Sequence, residues 1–251
     1  MLKNKTDRIN ILLILIISII LVFELFFNKG QSQNMDGTVH ITTIAQFFQA
    51  MKHGDLKITW ADGFANYGMP IPIFAHQIPS YLGAFINFVT NNAIVSFNIV
   101  NFIGTFLSLL FFYIFLRLYF NPLYSFLGVF LFNLAPYRIL NVYIRGAIPE
   151  YFASLFLPLI LISIYYIVKK RKYSYAFLLS LSITGLVLTH PMMLVVYSFI
   201  IFPYLFYYVF LEKKHKLNLI IFIGLSIALG LLIASYYLIP LFREIKYFYY
   251  G

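Results

Sequence analysis

Seven long apolar runs constrain this chain more than any other feature of its sequence. They cover residues 10–27, 93–115, 122–136, 151–168, 173–188, 192–211 and 217–239. About 20 apolar residues in a helix cross the ~30 Å hydrocarbon core of a bilayer, so most of these runs are long enough to span it. The shortest run, 122–136, reaches only ~22 Å, so it must be extended by the residues that follow or end below the surface. The pattern predicts an all-α polytopic membrane protein of about seven transmembrane helices, in one transmembrane domain over residues 1–251.

The composition indicates lipid as the solvent of this chain. Hydrophobic residues make up 62% of it and charged residues only 10%, and it contains 29 Phe and 21 Tyr. This excludes a disordered chain and an ordinary soluble domain. The absence of Cys excludes disulfides, thiolate metal sites and a Cys nucleophile. The net charge of +10 lies in short clusters between apolar runs, which indicates membrane topology and no nucleic-acid partner.

The basic residues also predict how the chain is oriented. Lys and Arg favour the cytoplasmic side of short loops. With the N-terminus inside, eleven of the 18 lie in the cytoplasm: Lys3, Lys5, Arg8, Arg117, Lys169, Lys170, Arg171, Lys172, Lys213, Lys214 and Lys216. No small-residue cleavage pattern follows the first run, which favours an uncleaved signal anchor. We therefore expect a cytoplasmic N-terminus and an outer first loop at residues 28–92.

The first outer loop is too long for a simple connector. Apolar residues recur there at helical spacing in two places, Ile41, Ile44, Ala45, Phe48 and Met51, and then Tyr81, Leu82, Phe85, Ile86 and Val89. Each set predicts a helix that lies in the membrane interface, and Gly54 is expected to end the first. The residues between them, 60–79, are aperiodic and rich in Gly and Pro.

Asp36 and His40 are the first candidates for chemistry. They are four residues apart at the start of the first interfacial helix, so a helical turn there projects both side chains the same way. A carboxylate beside an imidazole can accept a proton, bind a hard cation or orient a phosphate-bearing ligand. The alternative is that Asp36 only caps the helix.

Arg145 and Glu150 form a second candidate pair. Pro149 suits a first helical position and places Glu150 in the first turn of the fourth span, where the helix dipole favours a negative charge. Arg145 lies five residues earlier, across a turn that contains Gly146, and can fold back as its partner. The alternative to a functional role is an ion pair that only locks the turn.

Two further cations are candidates for contact with an anionic ligand. Arg138 is expected at the depth of the lipid headgroups, where its side chain either snorkels or donates to a phosphate oxygen. His190 stands between Thr189 and Pro191 at the outer end of the fifth span, either as a turn residue bound to a carbonyl or as a ligand contact. The chain has no phosphate loop, dinucleotide fingerprint, zinc-protease motif or Ser-hydrolase elbow, which argues against those chemistries.

Five motifs together resemble a known family. They are D-x-x-x-H at 36–40, a Gly, Pro and aromatic stretch at 68–74, A-P-Y-R at 135–138, Y-x-R-G-A-x-x-E at 143–150 and T-H-P at 189–191. With L-I-P-L at 238–241, this layout resembles the bacterial membrane proteins known as 6-pyruvoyl-tetrahydropterin synthase-related. Those proteins are similar to the GT-C superfamily of glycosyltransferases, which take a sugar from a polyprenyl-phosphate carrier at the outer face of the membrane.

The resemblance implies a set of roles for these residues. Asp36 would be the catalytic base or hold a divalent cation, Mg or Mn, with His40 beside it. Arg145 and Glu150 would line the same outer cleft, and Arg138 and His190 would contact the donor phosphate. It implies a multi-pass protein of the bacterial plasma membrane, working with other cell-envelope assembly proteins. Because such proteins continue through further spans, the resemblance also implies a truncated module.

Three functions compete on this basis. The leading hypothesis is a GT-C-like glycosyltransferase that moves a sugar from a polyprenyl-phosphate donor to a hydroxyl of a cell-envelope acceptor, with inversion. The alternative is a non-catalytic membrane subunit or carrier for cell-envelope polymer assembly. A transporter is less favoured, because no inverted repeat or interrupted pair of helices is visible in the sequence.

Overall fold

The computed structural model describes residues 4–27, 34–63, 67–74 and 76–247, and these are almost all helical. The chain forms two compact units, Met1–Leu155 and Phe156–Gly251. Extended backbone pairs within the described residues only at an isolated antiparallel bridge between Ala61 and Met69. The predicted all-α fold is confirmed.

The first unit contains eight α-helices in its described residues, with a π-helix at Asn141–Arg145 between the last two. The helices are α1 (Lys5–Phe27), α2 (Gly37–Lys52), α3 (Ile71–Phe74), α4 (Gln77–Thr90), α5 (Ala93–Leu116), α6 (Pro122–Asn133), α7 (Pro136–Leu140) and α8 (Ile148–Ala153). The second unit adds α9 (Phe156–Lys170), α10 (Tyr173–Thr189), α11 (Pro191–Leu211), α12 (Lys216–Ile233) and α13 (Ser235–Glu244), followed by a 3₁₀ turn at Ile245–Tyr247.

Among the described residues, five helical segments are long and apolar enough to cross a membrane: Lys5–Phe27, Ala93–Leu116, Ile148–Lys170, Pro191–Leu211 and Lys216–Ile233. A sixth is possible if Pro122–Asn133 and Pro136–Arg145, bent by 47° to each other, cross together. Tyr173–Thr189 is apolar but has only 17 residues. This is a multi-pass membrane protein and each predicted run is mostly helical, but the predicted count of seven spans is not confirmed.

The bend after α6 has a local cause. Leu134 and Ala135 separate the end of α6 from Pro136, and a proline pushes the preceding residue out of the helical region. Ala135 accordingly has ψ +127°, and a new helix starts at Pro136. The short run predicted over 122–136 is thus broken just before Pro136. Helical structure then resumes and continues to Arg145, beyond the predicted end of the run. The last run, predicted over 217–239, ends earlier, at Ile233, and α13 follows it.

Both helices predicted within the first loop are present. Helix α2 ends at Lys52, just before Gly54, whose φ is +87°. Helices α2 and α4 pack closely, because a Cβ at Gly83 would stand 2.5 Å from the side chain of Ile44. Residues 28–33, 64–66 and 75 of the predicted loop lie outside the described residues, and the loop's position at the outer face stays a prediction.

Helix α4 has its apolar side outward. Its buried positions are small or polar and include Ser80, Gly83 and Asn87, whereas Phe85 and Val89 are exposed. In water this would be the reverse of the stable arrangement, because exposed apolar area is costly there. The distribution suits a helix whose outer side meets lipid and whose inner side packs through small residues.

Buried polar contacts join the helices of the first unit. The fully buried Asp7 of α1 accepts hydrogen bonds from Arg117 Nε (2.8 Å) and the Tyr113 hydroxyl (2.7 Å) at the end of α5. Towards the other end of α1, Asn98 Nδ2 donates to the carbonyl of Leu25 (2.6 Å). Because the bilayer core offers no water, such contacts specify how α1 and α5 pair.

The second unit is built on close packing of α10 against α12. Ser180 and Thr184 of α10 donate to the carbonyls of Ser226 (2.7 Å) and Gly230 (2.8 Å) on α12. A Cβ at Gly230 would stand 2.6 Å from the carbonyl oxygen of Ser180, so only glycine allows this approach. Small residues and hydroxyls at a helix interface are typical of membrane proteins.

Candidate functional site

Two backbone hydrogen bonds attach the start of α2 to the end of the π-helix. The amide of Met35 donates to the carbonyl of Ile144 (3.1 Å), and the amide of Asp36 donates to the carbonyl of Arg145 (2.7 Å). These bonds join segments far apart in sequence. They hold the backbone of Asp36 beside that of Arg145.

The carboxylate of Asp36 is not the cap of α2. Asp36 occupies the N-cap position, yet its side chain makes no capping hydrogen bond. Asn34 performs that role instead, because its Oδ1 accepts from the amide of Gly37 (2.9 Å). The Asn34 side chain also fills the space above Gly146, which has φ +65° and where a Cβ would stand only 2.6 Å from it. The capping alternative for Asp36 is therefore wrong.

His40 lies one helical turn after Asp36, as expected. Its amide donates to the carbonyl of Asp36 (3.2 Å), so the turn is helical. The His40 ring approaches the ring of His76, with 5.8 Å between centroids. His76 stands immediately before α4 and was not a predicted site residue. The packing of α2 on α4 brings the two imidazoles together, and Asp36 itself is half-buried.

Arg145 and Glu150 meet across the turn at Gly146, as predicted. The pair is bidentate: Arg145 donates from Nη1 to Glu150 Oε2 (2.6 Å) and from Nη2 to Glu150 Oε1 (2.8 Å). Nη1 also donates to Asn141 Oδ1 (3.1 Å), and the hydroxyl of Tyr137 donates to Glu150 Oε2. The side chains are 31% and 16% exposed, so the pair is partly open to solvent.

Arg138 is not at a surface where it could snorkel. Its side chain is 4% exposed and its guanidinium lies between the rings of Phe132 (4.4 Å) and Tyr151 (4.5 Å). It donates to the hydroxyls of Ser108 (2.8 Å), Tyr151 (3.1 Å) and Ser154 (3.0 Å). The snorkelling alternative is corrected, because aromatic faces and hydroxyls solvate this cation inside the first unit.

The family model for the 6-pyruvoyl-tetrahydropterin synthase related domain, a membrane protein domain, matches residues 76–248. That match covers well over half of the 251 residues. The chain belongs to this family. Comparison with curated proteins and with solved structures finds no match.

The 6-pyruvoyl-tetrahydropterin synthase related domain contains only part of the predicted site. Arg138, Arg145, Glu150 and His190 lie within the matched residues, whereas Asp36 precedes them together with its neighbour His40. The two backbone bonds described above connect the earlier segment to the family domain. Asp36, from the segment before the matched residues, is therefore attached to Arg145 within them.

His190 belongs to the second unit. It is half-buried at the start of α11, and its amide donates to the carbonyl of Leu186 (2.8 Å). Its backbone is extended, with φ −161°, which makes the sharp turn between α10 and α11 before Pro191. A common cleft that includes His190 and Asp36 stays a prediction.

A cation at Asp36 also stays a prediction. Within the part of the chain that the structure describes, no group of three or more His, Asp or Glu is placed to hold a metal.

Sequence reasoning missed the residues that position the others. Asn34, Tyr137 and Asn141 support Asp36, Glu150 and Arg145, respectively. Asn141 is four residues before Arg145, a spacing that brings two side chains together on a helix, and could have been found that way. For Asn34 and Tyr137 no such signal exists, because their contacts depend on turns and on tertiary packing.

Proposed function

We propose that this chain is a GT-C-like glycosyltransferase module of the bacterial plasma membrane. It would transfer a sugar from a polyprenyl-phosphate donor to a hydroxyl of a cell-envelope acceptor, at the outer face, with the N-terminus in the cytoplasm. The observation that carries the proposal concerns the hydrogen bonds of Asp36. Its carboxylate has no capping role, yet its backbone is held to Arg145 by a 2.7 Å hydrogen bond.

In this proposal Asp36 is the general base. It accepts the proton of the acceptor hydroxyl while the hydroxyl oxygen bonds to the anomeric carbon of the sugar. The bond from that carbon to the donor phosphate oxygen breaks, and polyprenyl phosphate leaves with the electron pair. Attack from the face opposite the phosphate inverts the anomeric centre.

Arg145 would stabilise the departing phosphate. Its contacts to Glu150 and Asn141 use three of the five N–H donors of a guanidinium, so the same group can also meet a phosphate oxygen. Glu150 and Asn141 act as positioning residues, because they fix the plane of the guanidinium. The 31% exposure of Arg145 makes such contact accessible.

The remaining predicted residues have secondary roles in this proposal. His40 would stay beside the base, and His190 would contact the donor phosphate from the turn before α11. Arg138 would have to leave its aromatic stack to make such a contact, so we place its contribution after that of Arg145. The lipid bilayer and other cell-envelope assembly proteins are the proposed partners.

The test is an Asp36→Asn variant in proteoliposomes supplied with a panel of polyprenyl-phosphate sugars and with a bacterial cell-envelope extract as the source of acceptor hydroxyls. Release of polyprenyl phosphate reports transfer without knowledge of the acceptor. Loss of a general base typically costs about 10² to 10⁴ in rate, and we expect a loss in that range with unchanged yield and thermal stability. Asp55→Asn is the matched control, because Asp55 is exposed and its side chain accepts from the amide of Lys57 (3.0 Å).

Two results would contradict the proposal. Full activity in Asp36→Asn would remove the base from the mechanism. No release by the unaltered chain with any donor would favour the alternative, a non-catalytic membrane subunit or carrier for cell-envelope polymer assembly.

A further inference from the structure

A cavity of about 240 Å³ opens in the second unit, remote in sequence from Asp36 and Arg145. It lies where α9 ends and where α10 and α12 begin. Its lining residues are Ile167, Arg171, Tyr173, Asn218, Leu219 and Phe222. The proposed transfer reaction uses none of them.

The cavity has an apolar floor and a polar mouth. Ile167 and Leu219 are buried, and the rings of Tyr173 and Phe222 meet edge to face at 5.6 Å. Arg171 and Asn218, in contrast, are exposed. A ligand that fits this cavity therefore has an apolar part and a charged or hydrogen-bonding part.

Arg171 is held at the mouth by its backbone and by Glu212. Its φ is +49°, a conformation that residues other than Gly rarely adopt, and its amide donates to the carbonyl of Ile167 (2.9 Å). Its Nη2 donates to Glu212 Oε2 (2.7 Å). Glu212 is itself held, because its Oε1 accepts from the amides of Lys214 (3.1 Å) and His215 (3.3 Å).

The guanidinium can still receive an anion. Its side chain is 50% exposed, and the contact with Glu212 uses one of five N–H donors. A planar guanidinium donates two parallel hydrogen bonds to a phosphate, which a single ammonium group cannot reproduce.

The surroundings are strongly cationic. Two short segments beside the cavity, residues 169–172 and 212–216, carry one acid, Glu212, against seven basic residues: Lys169, Lys170, Arg171, Lys172, Lys213, Lys214 and Lys216. Both segments join apolar helices, so the cations stand where such helices leave the hydrocarbon. Basic pockets between membrane helices at this level favour anionic lipid headgroups.

We propose that this cavity binds the phosphate headgroup of an anionic phospholipid. Arg171 and Asn218 contact the phosphate, and the glycerol backbone rests on Ile167, Leu219 and Phe222. The acyl chains then run along the exposed apolar surfaces of the neighbouring helices. A free phosphate would use the mouth but leave the apolar floor unused, so the lining favours a lipid.

The test is native mass spectrometry of the full chain in detergent, titrated with phosphatidylglycerol, with phosphatidylcholine and with inorganic phosphate. Three variants each lower the net charge by one: Arg171→Gly, Asn218→Asp and, as control, Lys213→Ala. Gly suits the φ of residue 171, and Asp is favoured in the first turn of α12, so both variants should fold. Lys213 is exposed and does not line the cavity.

We expect one phosphatidylglycerol bound to the unaltered chain, at least tenfold more tightly than phosphatidylcholine. Arg171→Gly and Asn218→Asp should each weaken this binding about tenfold, and Lys213→Ala less than twofold. Equal weakening in all three variants would show general attraction to a basic surface and overturn the proposal. Displacement of the lipid by millimolar inorganic phosphate would overturn it in favour of a free-phosphate site. If Arg171→Gly fails to fold, Asn218→Asp decides alone.

Discussion

Exchanging Arg145 and Glu150 tests whether their ion pair only stabilises the fold or also takes part in the proposed reaction. Removing one partner of a buried ion pair costs ~3 to 5 kcal/mol, and removing one partner of an exposed pair costs at most ~1 kcal/mol. This pair is bidentate but 31% and 16% exposed. We therefore expect Arg145→Glu or Glu150→Arg alone to cost about 2 kcal/mol.

The double exchange should recover part of that loss. Asn141 can turn its amide to donate to a carboxylate at position 145, and the Tyr137 hydroxyl can accept from a guanidinium at position 150. Two costs remain. The new carboxylate would face Asp36, and a cation in the first turn of α8 opposes the helix dipole by about 0.5 kcal/mol. We expect the double variant to stay about 1 kcal/mol below the unaltered chain.

Activity should not follow stability. A carboxylate at position 145 presents a negative charge to the donor phosphate, so neither the single nor the double variants should release polyprenyl phosphate. Thermal unfolding in detergent measures stability, with a change of ~2 to 4 °C per kcal/mol for a chain of this size. Activity that returns together with stability in the double variant would refute our reasoning, and both residues would leave the proposed site.

Three further predictions test the topology and the local geometry. Lys57→Cys, in a chain without native Cys, should react with an impermeant maleimide in intact cells, and reaction only after lysis would invert the proposed orientation. Gly146→Ala should destabilise the chain by ~1 to 3 kcal/mol in thermal unfolding, because its φ is +65° and a Cβ there meets a side chain at 2.6 Å. The control Gly224→Ala, with open space around it, should stabilise α12 slightly. Hydrogen bonds, first from the Lys214 amide, hold the pKa of Glu212 below its ordinary value of 4.5. Its ionised form therefore stabilises the fold above pH 4.5, and this stabilisation is lost as the pH falls through the lowered pKa. Glu212→Gln should unfold at a lower temperature than the unaltered chain at pH 7, and the difference should shrink as the pH falls below 4.5.

The pair at Arg145 and Glu150 illustrates what could be predicted about the site. Its partners are five residues apart and separated by a glycine, so the chain has few ways to fold except by bringing them together. Asp36 and His40 were similarly placed by helical spacing. In each case the informative contact is local, and local geometry follows from backbone sterics.

Other parts of the site could not be predicted in this way. The sequence left open whether Asp36 caps its helix, and the answer depends on Asn34, whose side chain also packs over Gly146. The sequence left open whether Arg138 snorkels or donates to a phosphate, and the first unit instead surrounds it with two aromatic rings and three hydroxyls. Asn34 is only two residues from Asp36, but its packing over Gly146 and the contact of Arg138 with Ser108 of α5 join distant segments, whose approach is decided by the packing of whole helices.

The sequence by itself determined that this chain is helical and lies in a membrane. Apolar runs of this length leave backbone hydrogen bonds no partner except within a helix, so the result follows without knowledge of any tertiary contact. Only the tertiary structure decided which distant segments meet, as the amide of Asp36 meets the carbonyl of Arg145 and the Asn34 side chain packs over Gly146. Lipid solvates every apolar helix face about equally, so helix pairing depends on small residues and on a few polar contacts, and hydropathy cannot reveal those.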